Sequence, residues 1–118
     1  MAGTPSLTTH VLDTMHGRPA AGMHFDLFLV HGDHGHHLLS GVTNEDGRAD
    51  EPLLEDDGFQ LGTYELVFHV GAYFKQLEAV ATDPFLDEVP VRFTLSEMDH
   101  YHVPLLVSPY AYSTYRGS

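Results

Sequence analysis

Histidine and arginine are the side chains of this sequence best suited to chemistry. The sequence has no cysteine and no serine-nucleophile elbow, phosphate-cradling loop or zinc-protease motif, but it holds ten histidines beside only five lysines and arginines. A neutral imidazole can take a proton from water near pH 7, and a guanidinium can hold an anion or a polarised carbonyl. An enzyme made from these residues would therefore activate water with histidine or a carboxylate, helped by arginine.

Two of the candidate residues lie in the first half of the chain. His10 stands in a short polar stretch, where a surface position is the simpler interpretation. Arg48 directly follows a strong turn, and it would either pair with Asp46 or Asp50 at the surface or clamp a substrate through its planar fork of donors. Both interpretations stay open for each residue at this point.

The other candidates lie near the end of the chain. His100 and His102 flank Tyr101 and so project from the same side of one strand. They would either ligate a metal with a third partner or form a catalytic pair, in which one takes a proton and the other orients it or a water. The final Tyr115-Arg116-Gly117-Ser118 adds a cation, a hydroxyl and a carboxylate, although chain ends are often frayed.

The densest group of imidazoles is His31, His34, His36 and His37, around a predicted turn at residues 32–35. Histidine-rich tracts can bind zinc or nickel. This spacing matches no closed structural site, and an exposed turn offers little preorganisation. A metal role for this group is therefore the less favoured interpretation.

Short alternating runs divided by turn residues predict an all-β sandwich that would position these side chains. Strands are predicted over residues 7–12, 23–31, 38–43, 64–70, 89–95 and 101–107, with a further alternating stretch over 110–115. One helix is predicted over 72–81, and residues 50–62 are expected to be irregular. Pro104 predicts an edge strand or a bulge, because proline has no N–H to donate. Seven to eight strands and one short helix are expected, with an eight-stranded closed barrel as the alternative.

Length and charge limit the remaining possibilities. A chain of 118 residues predicts one domain over residues 1–118. Its net charge of −12 would repel phosphate backbones and anionic lipids, so neither nucleic acid nor a membrane is an expected partner. The apolar runs are too short to span a bilayer, and residues 1–7 lack the features of a secretory signal. We therefore expect a cytoplasmic protein.

Three separated stretches carry motifs that can be compared with a known family. Residues 8–13 and 17–20 read Thr-Thr-His-Val-Leu-Asp and Gly-Arg-Pro-Ala, and residues 43–48 read Thr-Asn-Glu-Asp-Gly-Arg. The last stretch begins His-Tyr-His-Val-Pro-Leu-Leu at residue 100 and ends the chain with Tyr-Arg-Gly-Ser. In this order they resemble the signatures of the transthyretin-like 5-hydroxyisourate hydrolases. The hormone carrier transthyretin lacks both the Tyr-Arg-Gly-Ser ending and the active-site histidines of these hydrolases.

The resemblance implies a transthyretin-like (prealbumin-like) two-sheet β-sandwich and a homotetramer with its sites along a channel between dimers. It implies hydrolysis of 5-hydroxyisourate, an oxidised purine of urate degradation, to 2-oxo-4-hydroxy-4-carboxy-5-ureidoimidazoline by opening a cyclic amide, with no metal or organic cofactor. Catalytic or substrate-contacting roles are implied for His10, Arg48, His102 and Ser118, substrate contact for Tyr115 and support for Arg116. Which histidine is the general base stays open.

Two other functions are alternatives. The same scaffold could act as a non-enzymatic carrier of a small ligand, or residues 31–37 could make it a metal-binding sandwich. The polar set His10, Arg48, His100 and His102 favours the hydrolase over the carrier, because such a lining poorly matches a largely apolar hormone.

Overall fold

The strands of this protein form two sheets in a computed structural model that describes residues 4–80 and 83–117. The strands are Ser6–Asp13 (β1), Arg18–Pro19 (β2), His24–His31 (β3), His34–Val42 (β4), Leu54–Glu55 (β5), Gly62–His69 (β6), Glu88–Leu95 (β7), His100–Val107 (β8) and Tyr112–Thr114 (β9). The α-helix is Val70–Gln76 (α1), and a short 3₁₀ turn covers Asp56–Gly58.

The two sheets are separate, as a sandwich requires. One sheet has the order β2-β1-β8-β9, with β5 also paired to β1, and the other has the order β4-β3-β6-β7. β1 and β8 run parallel, in an unbroken register from Ser6 opposite His100 to Asp13 opposite Val107. The other strand pairs of the described residues are antiparallel. This topology confirms the predicted sandwich and contradicts the closed barrel.

The core lies between the sheets, because alternate residues of the strands face inward. Leu7 and Leu105 from the first sheet and Leu27 and Leu66 from the second are completely buried. Burial of such side chains stabilises each by about 1.5–3 kcal/mol relative to exposure. The opposite face of β1 and β8 is only half-buried, and it carries Ser6, Thr8, His10, His100 and His102.

The described residues form nine strands where seven to eight were expected, because two very short strands give no periodic signal in the sequence. β2 lies between the strands predicted over residues 7–12 and 23–31, and β5 lies in the segment predicted to be irregular. Both are held by β1, through the pairs Leu12–Pro19 and Leu7–Leu54. A two-residue strand of this kind depends on its partner and not on its own residues.

Among the described residues there is one α-helix, as predicted, but its bounds differ from the prediction. Helix α1 begins at Val70, directly after β6, and ends at Gln76, whereas residues 72–81 were predicted. Glu78 adopts a left-handed conformation with φ of 58°, which stops the helix. Residues 81 and 82 lie outside the described part of the chain. No helix among the described residues is long and apolar enough to cross a membrane.

The prediction that Pro104 marks an edge strand or a bulge was wrong. β8 lies between β1 and β9, and Pro104 stays in register opposite His10 of β1. The Pro104 carbonyl accepts a hydrogen bond from the Thr114 hydroxyl at 2.7 Å. The backbone nitrogen and carbonyl of Pro104 therefore point toward β9 and not toward β1. Regular pairing with β9 begins only at Leu105. The strand can hold a proline here because no ladder bond needs its missing N–H.

Candidate active site

The parallel pairing of β1 with β8 brings distant polar residues onto one face of the sheet. Thr8 lies opposite His102, and His10 is two residues farther along β1 on the same face. The rings of His10 and His102 are stacked, with their centroids 5.8 Å apart. Two histidines separated by ninety-two positions in sequence are therefore neighbours in the fold.

Hydroxyl groups of β1 contact the histidines of β8. The Nδ1 atom of His102 is 2.8 Å from Oγ1 of Thr8, and Nδ1 of His100 is 2.7 Å from Oγ of Ser6. Each distance is that of a hydrogen bond. Both contacts follow from the register, which pairs Ser6 with His100 and Thr8 with His102.

Arg48 reaches this face through a tight turn. The Oδ1 atom of Asn44 accepts hydrogen bonds from the backbone N–H groups of Asp46 and Arg48, at 2.9 and 3.1 Å. The Gly47 carbonyl accepts the N–H of Val11 at 2.8 Å, which docks the turn onto β1. Arg48 then forms an isolated bridge with His10.

Gly47 is the residue that lets the turn approach β1. Its φ is +75°, and a Cβ atom placed on it would lie 2.5 Å from the Val11 carbonyl oxygen. Only glycine fits both this conformation and this distance. No ion pair of Arg48 within 4 Å is found among the described residues, so the predicted surface pairing with Asp46 or Asp50 is absent from that part of the structure.

A polar cavity of about 410 Å³ opens beside these residues. It is lined by Thr8, Thr9, Arg48, Ala49, Asp50, Glu51, Pro52, His100 and His102. This volume lies within the range of small-molecule sites, which is about 300–1,000 Å³. The lining supplies a guanidinium, two imidazoles, hydroxyls and carboxylates, which suits a polar ligand.

The surroundings of both stacked imidazoles favour their neutral form. Burial, followed by the positive charge of Arg48, lowers the pKa of His10 below its ordinary value of 6.5. Burial also lowers the pKa of His102, with smaller contributions from Arg48, His10 and His100. A neutral imidazole beside a guanidinium at pH 7 can accept a proton from water while the cation attracts developing negative charge.

The end of the chain returns to His102. The Gly117 N–H donates to the His102 carbonyl at 2.7 Å, and a Cβ atom on Gly117 would lie 2.6 Å from Cδ2 of the His102 ring. The glycine thus permits the chain end to pass against the imidazole. Ser118, to which the resemblance gave a catalytic role, lies outside the described residues.

Tyr115 and Arg116 lie at a second location. They line a smaller groove of about 180 Å³ together with Tyr101 and residues of β7. The Arg116 guanidinium stands 4.1 Å from the centre of the Tyr101 ring, and one of its nitrogens is 3.6 Å from a carboxylate oxygen of Asp99. Within one chain, these two residues line this groove and not the cavity beside His102, although a guanidinium nitrogen of Arg116 lies 3.4 Å from the His100 carbonyl oxygen.

The other histidine group is spread along the hairpin of β3 and β4. His31 and His36 meet edge to face, with ring centroids 5.8 Å apart, while Nε2 of His37 lies 3.0 Å from an Asp26 carboxylate oxygen. Within residues 4–80 and 83–117, no group of three or more histidines, aspartates and glutamates has an arrangement that could hold a metal ion.

Sequence reasoning did not identify Ser6 and Thr8 as part of the site. They are ordinary polar residues of a strand, and only the register between β1 and β8 shows that they face His100 and His102. The repeated spacing of two residues in both strands was the available signal, but it has meaning only once the two strands are known to be parallel neighbours.

Comparison with known proteins agrees with this fold. The model of the HIUase/Transthyretin family matches residues 7–117. The chain is 56% identical to 5-hydroxyisourate hydrolase 2 of Rhizobium meliloti (strain 1021) and 55% identical to 5-hydroxyisourate hydrolase of Deinococcus radiodurans, each match covering 100% of both chains.

Two solved structures are similar as well. The Klebsiella pneumoniae 5-hydroxyisourate hydrolase has a TM-score of 0.77 and 32% identity, covering 97% of this chain and 99% of that one. An (S)-allantoin synthase has a TM-score of 0.91 and 43% identity, covering 99% of this chain but only 45% of that longer chain. With a family model that matches nearly its whole length and full-length relatives above half identity, this chain belongs to the HIUase/Transthyretin family.

Proposed function

We propose that this protein hydrolyses 5-hydroxyisourate at the cavity beside His10, Arg48 and His102. The observation that carries the proposal is the pair of stacked imidazoles of His10 and His102 on the half-buried face of β1 and β8, with Arg48 lining the same cavity as His102. Full-length relatives bear the name of this activity. The polar cavity suits a small oxidised purine better than an apolar ligand.

The reaction is the addition of one water to a cyclic amide. One imidazole, of His10 or His102, takes a proton from water, and the oxygen forms a bond to the ring carbonyl carbon. The carbon–nitrogen bond then breaks, and the proton passes from the imidazolium to the leaving nitrogen. The product is 2-oxo-4-hydroxy-4-carboxy-5-ureidoimidazoline, which places the protein in urate degradation.

Arg48 acts on the carbonyl oxygen in this proposal. Negative charge develops there as water attacks, and a guanidinium stabilises it through charge-assisted hydrogen bonds. Removal of one such donor typically costs about 100- to 1,000-fold in kcat. Burial and, after it, the same positive charge lower the pKa of both imidazoles, so Arg48 serves both the base and the oxyanion.

The end of the chain belongs to the proposal as well. Gly117 lies against His102. Ser118 is the next residue of the sequence, and in this proposal its hydroxyl or carboxylate donates or positions a proton. Tyr115 and Arg116 would contact and support the substrate from a neighbouring subunit or from a rearranged tail, since they line another groove of their own chain. A homotetramer with sites between dimers and a cytoplasmic location complete this proposal.

Kinetics of matched arginine variants test the proposed function. Arg48→Gln should lower kcat by about 100-fold or more. Arg92→Gln serves as the control, because Arg92 is an exposed residue of the other sheet that pairs with Glu65 at 3.2 Å. Equal rates for both variants would contradict the role of Arg48.

The chain end and the assembly have their own tests. Removal of Ser118 alone should abolish turnover while the circular dichroism spectrum is unchanged, and full activity in such a folded truncation would exclude the tail from the mechanism. Light scattering should give the mass of a tetramer. A monomer with full activity would contradict a site between subunits.

A further inference from the structure

The two histidines of β8 that line the cavity share one kind of partner. Thr8 and Ser6 contact the Nδ1 atoms of His102 and His100 at 2.8 and 2.7 Å. The two contacts repeat at a spacing of two residues along parallel strands, so both come from the same face of β1. A neutral hydroxyl is thus the side-chain partner of each imidazole at the cavity.

Two histidines outside the cavity contact carboxylates instead. Nδ1 of His16 lies 2.6 Å from an oxygen of the buried Asp13, and Nε2 of His69 lies 2.8 Å from an oxygen of Asp26. A carboxylate partner stabilises the protonated imidazolium, whereas a hydroxyl brings no charge. A hydroxyl partner at the cavity therefore fixes the orientation of the imidazole ring without stabilising its protonated form.

The His102 ring is held on several sides. Thr8 contacts Nδ1, the His10 ring stacks on it at 5.8 Å, and the backbone of Gly117 passes close to Cδ2. Nδ1 and Nε2 lie at different corners of the imidazole, so a hydrogen bond to one decides which of them carries the proton in the neutral ring.

We infer that Thr8 is a positioning residue whose Oγ1 accepts the Nδ1–H of neutral His102, so that Nε2 is left unprotonated as the basic atom that takes the proton of the attacking water. This inference rests on the proposed hydrolase function and makes His102 the general base. The Thr8 hydroxyl keeps its own proton, which it can donate to a water or to the substrate. Ser6 holds His100 in the same manner, two residues earlier in each strand.

Charged and titratable groups around His102 come from several elements. Arg48, Asp50 and Glu51 follow β4 in the chain and line the cavity, while His10 comes from β1 and His100 from β8 itself. Thr8 adds no charge to this set. Its removal should therefore change the tautomer and the orientation of His102 more than the position of the acid limb of the pH profile.

Nitrogen-15 NMR of the imidazoles tests the inference without any need for activity. Wild-type His102 should show the Nδ1-protonated tautomer at neutral pH. Thr8→Val, which has nearly the same shape but no hydroxyl, should shift His102 toward the Nε2-protonated tautomer. Thr8→Ser should restore the wild-type pattern, and it remains informative if Thr8→Val fails to fold.

Kinetics supply the second readout. Thr8→Val should lower kcat by about 10- to 100-fold with a much smaller change in KM. In the wrong tautomer Nε2 of His102 already carries a proton and cannot accept one from water. Thr8→Ser should recover most of kcat. Thr63→Val is the matched control. Thr63 and Thr94 both lie on the sheet that does not contain Thr8, and their hydroxyls are 3.3 Å apart, so this variant should keep wild-type kinetics.

The outcomes separate the inference from the function on which it rests. An Nε2-protonated His102 in the wild type, or a Thr8→Val variant with unchanged tautomer and kcat, would overturn the inference. If the wild type did not hydrolyse 5-hydroxyisourate at all, the proposed function would fail and His102 could not be its base. The NMR pattern would then still report whether Thr8 sets the tautomer.

Discussion

Gly47→Ala is the substitution that most sharply tests how the turn positions Arg48. The added Cβ would lie 2.5 Å from the Val11 carbonyl oxygen, and ordinary contact begins about 1 Å farther away. The φ of +75° adds a left-handed conformation that costs alanine about 1 kcal/mol. The turn must withdraw, which removes the 2.8 Å hydrogen bond from Val11 to Gly47 at a cost of about another 1 kcal/mol.

We therefore expect Gly47→Ala to lower the free energy of unfolding by about 2–3 kcal/mol. Gly32→Ala is the matched control, because Gly32 also has a positive φ, of +57°, but has open space around it. This control should lose only about 1 kcal/mol. Urea unfolding of both variants at one protein concentration measures the difference.

Activity gives the second readout of the same variant. A shift of the turn by about 1 Å misplaces Arg48 relative to His10, and such a misplacement can cost about 100-fold in rate. Gly32→Ala lies on the β3–β4 hairpin and should keep wild-type kcat/KM. If Gly47→Ala matched Gly32→Ala in stability and the wild type in kcat/KM, the proposed dependence of Arg48 on this turn would be refuted.

Three further predictions concern titration and buried polar contacts. The acid limb of the kcat/KM profile should have a pKa below 6.5, because burial and the neighbouring guanidinium lower the pKa of His102; a limb above 6.5 would contradict this. Hydrogen bonds, that from His69 first, lower the pKa of Asp26 to about 2, so its contribution to stability is present above about pH 3.8 and is lost as the pH falls toward 2. Asp26→Asn should therefore lower the free energy of unfolding by about 2 kcal/mol at pH 7 but by much less at pH 2, as urea unfolding at both values would show. Tyr73→Phe removes a 2.7 Å hydrogen bond to the buried Asp13 and should cost about 1–2 kcal/mol in thermal or urea unfolding, and an unchanged stability would show that water replaces the hydroxyl.

The sequence predicts the sandwich well where a strand has its own alternation. In β6, Tyr64, Leu66 and Phe68 face the core as their spacing of two indicates. The strands β2 and β5 have no such pattern, and each exists only because β1 offers a partner. The end of helix α1 likewise depends on the left-handed Glu78, which its helix-favouring neighbours do not reveal.

The site shows the same division between local and long-range information. The motifs around His10, Arg48 and His102 are visible in the sequence, and the structure brings these three residues together. The contact between Thr8 and His102 could not be predicted, because it depends on a parallel register between strands at opposite ends of the chain. The prediction for Pro104 was wrong for a similar reason. Only the pairing of β8 with its neighbours shows that no ladder hydrogen bond is needed from the backbone nitrogen of Pro104.

The most direct test of the central claim is the decay of 5-hydroxyisourate, followed by ultraviolet absorbance after fresh generation with urate oxidase. The wild type should speed the decay far beyond the spontaneous rate, and His102→Ala should abolish that acceleration. His34→Ala, in an exposed histidine of the β3–β4 hairpin, should leave it intact. Decay no faster than the spontaneous reaction from folded wild-type protein would contradict the hydrolase and favour a ligand carrier on this scaffold.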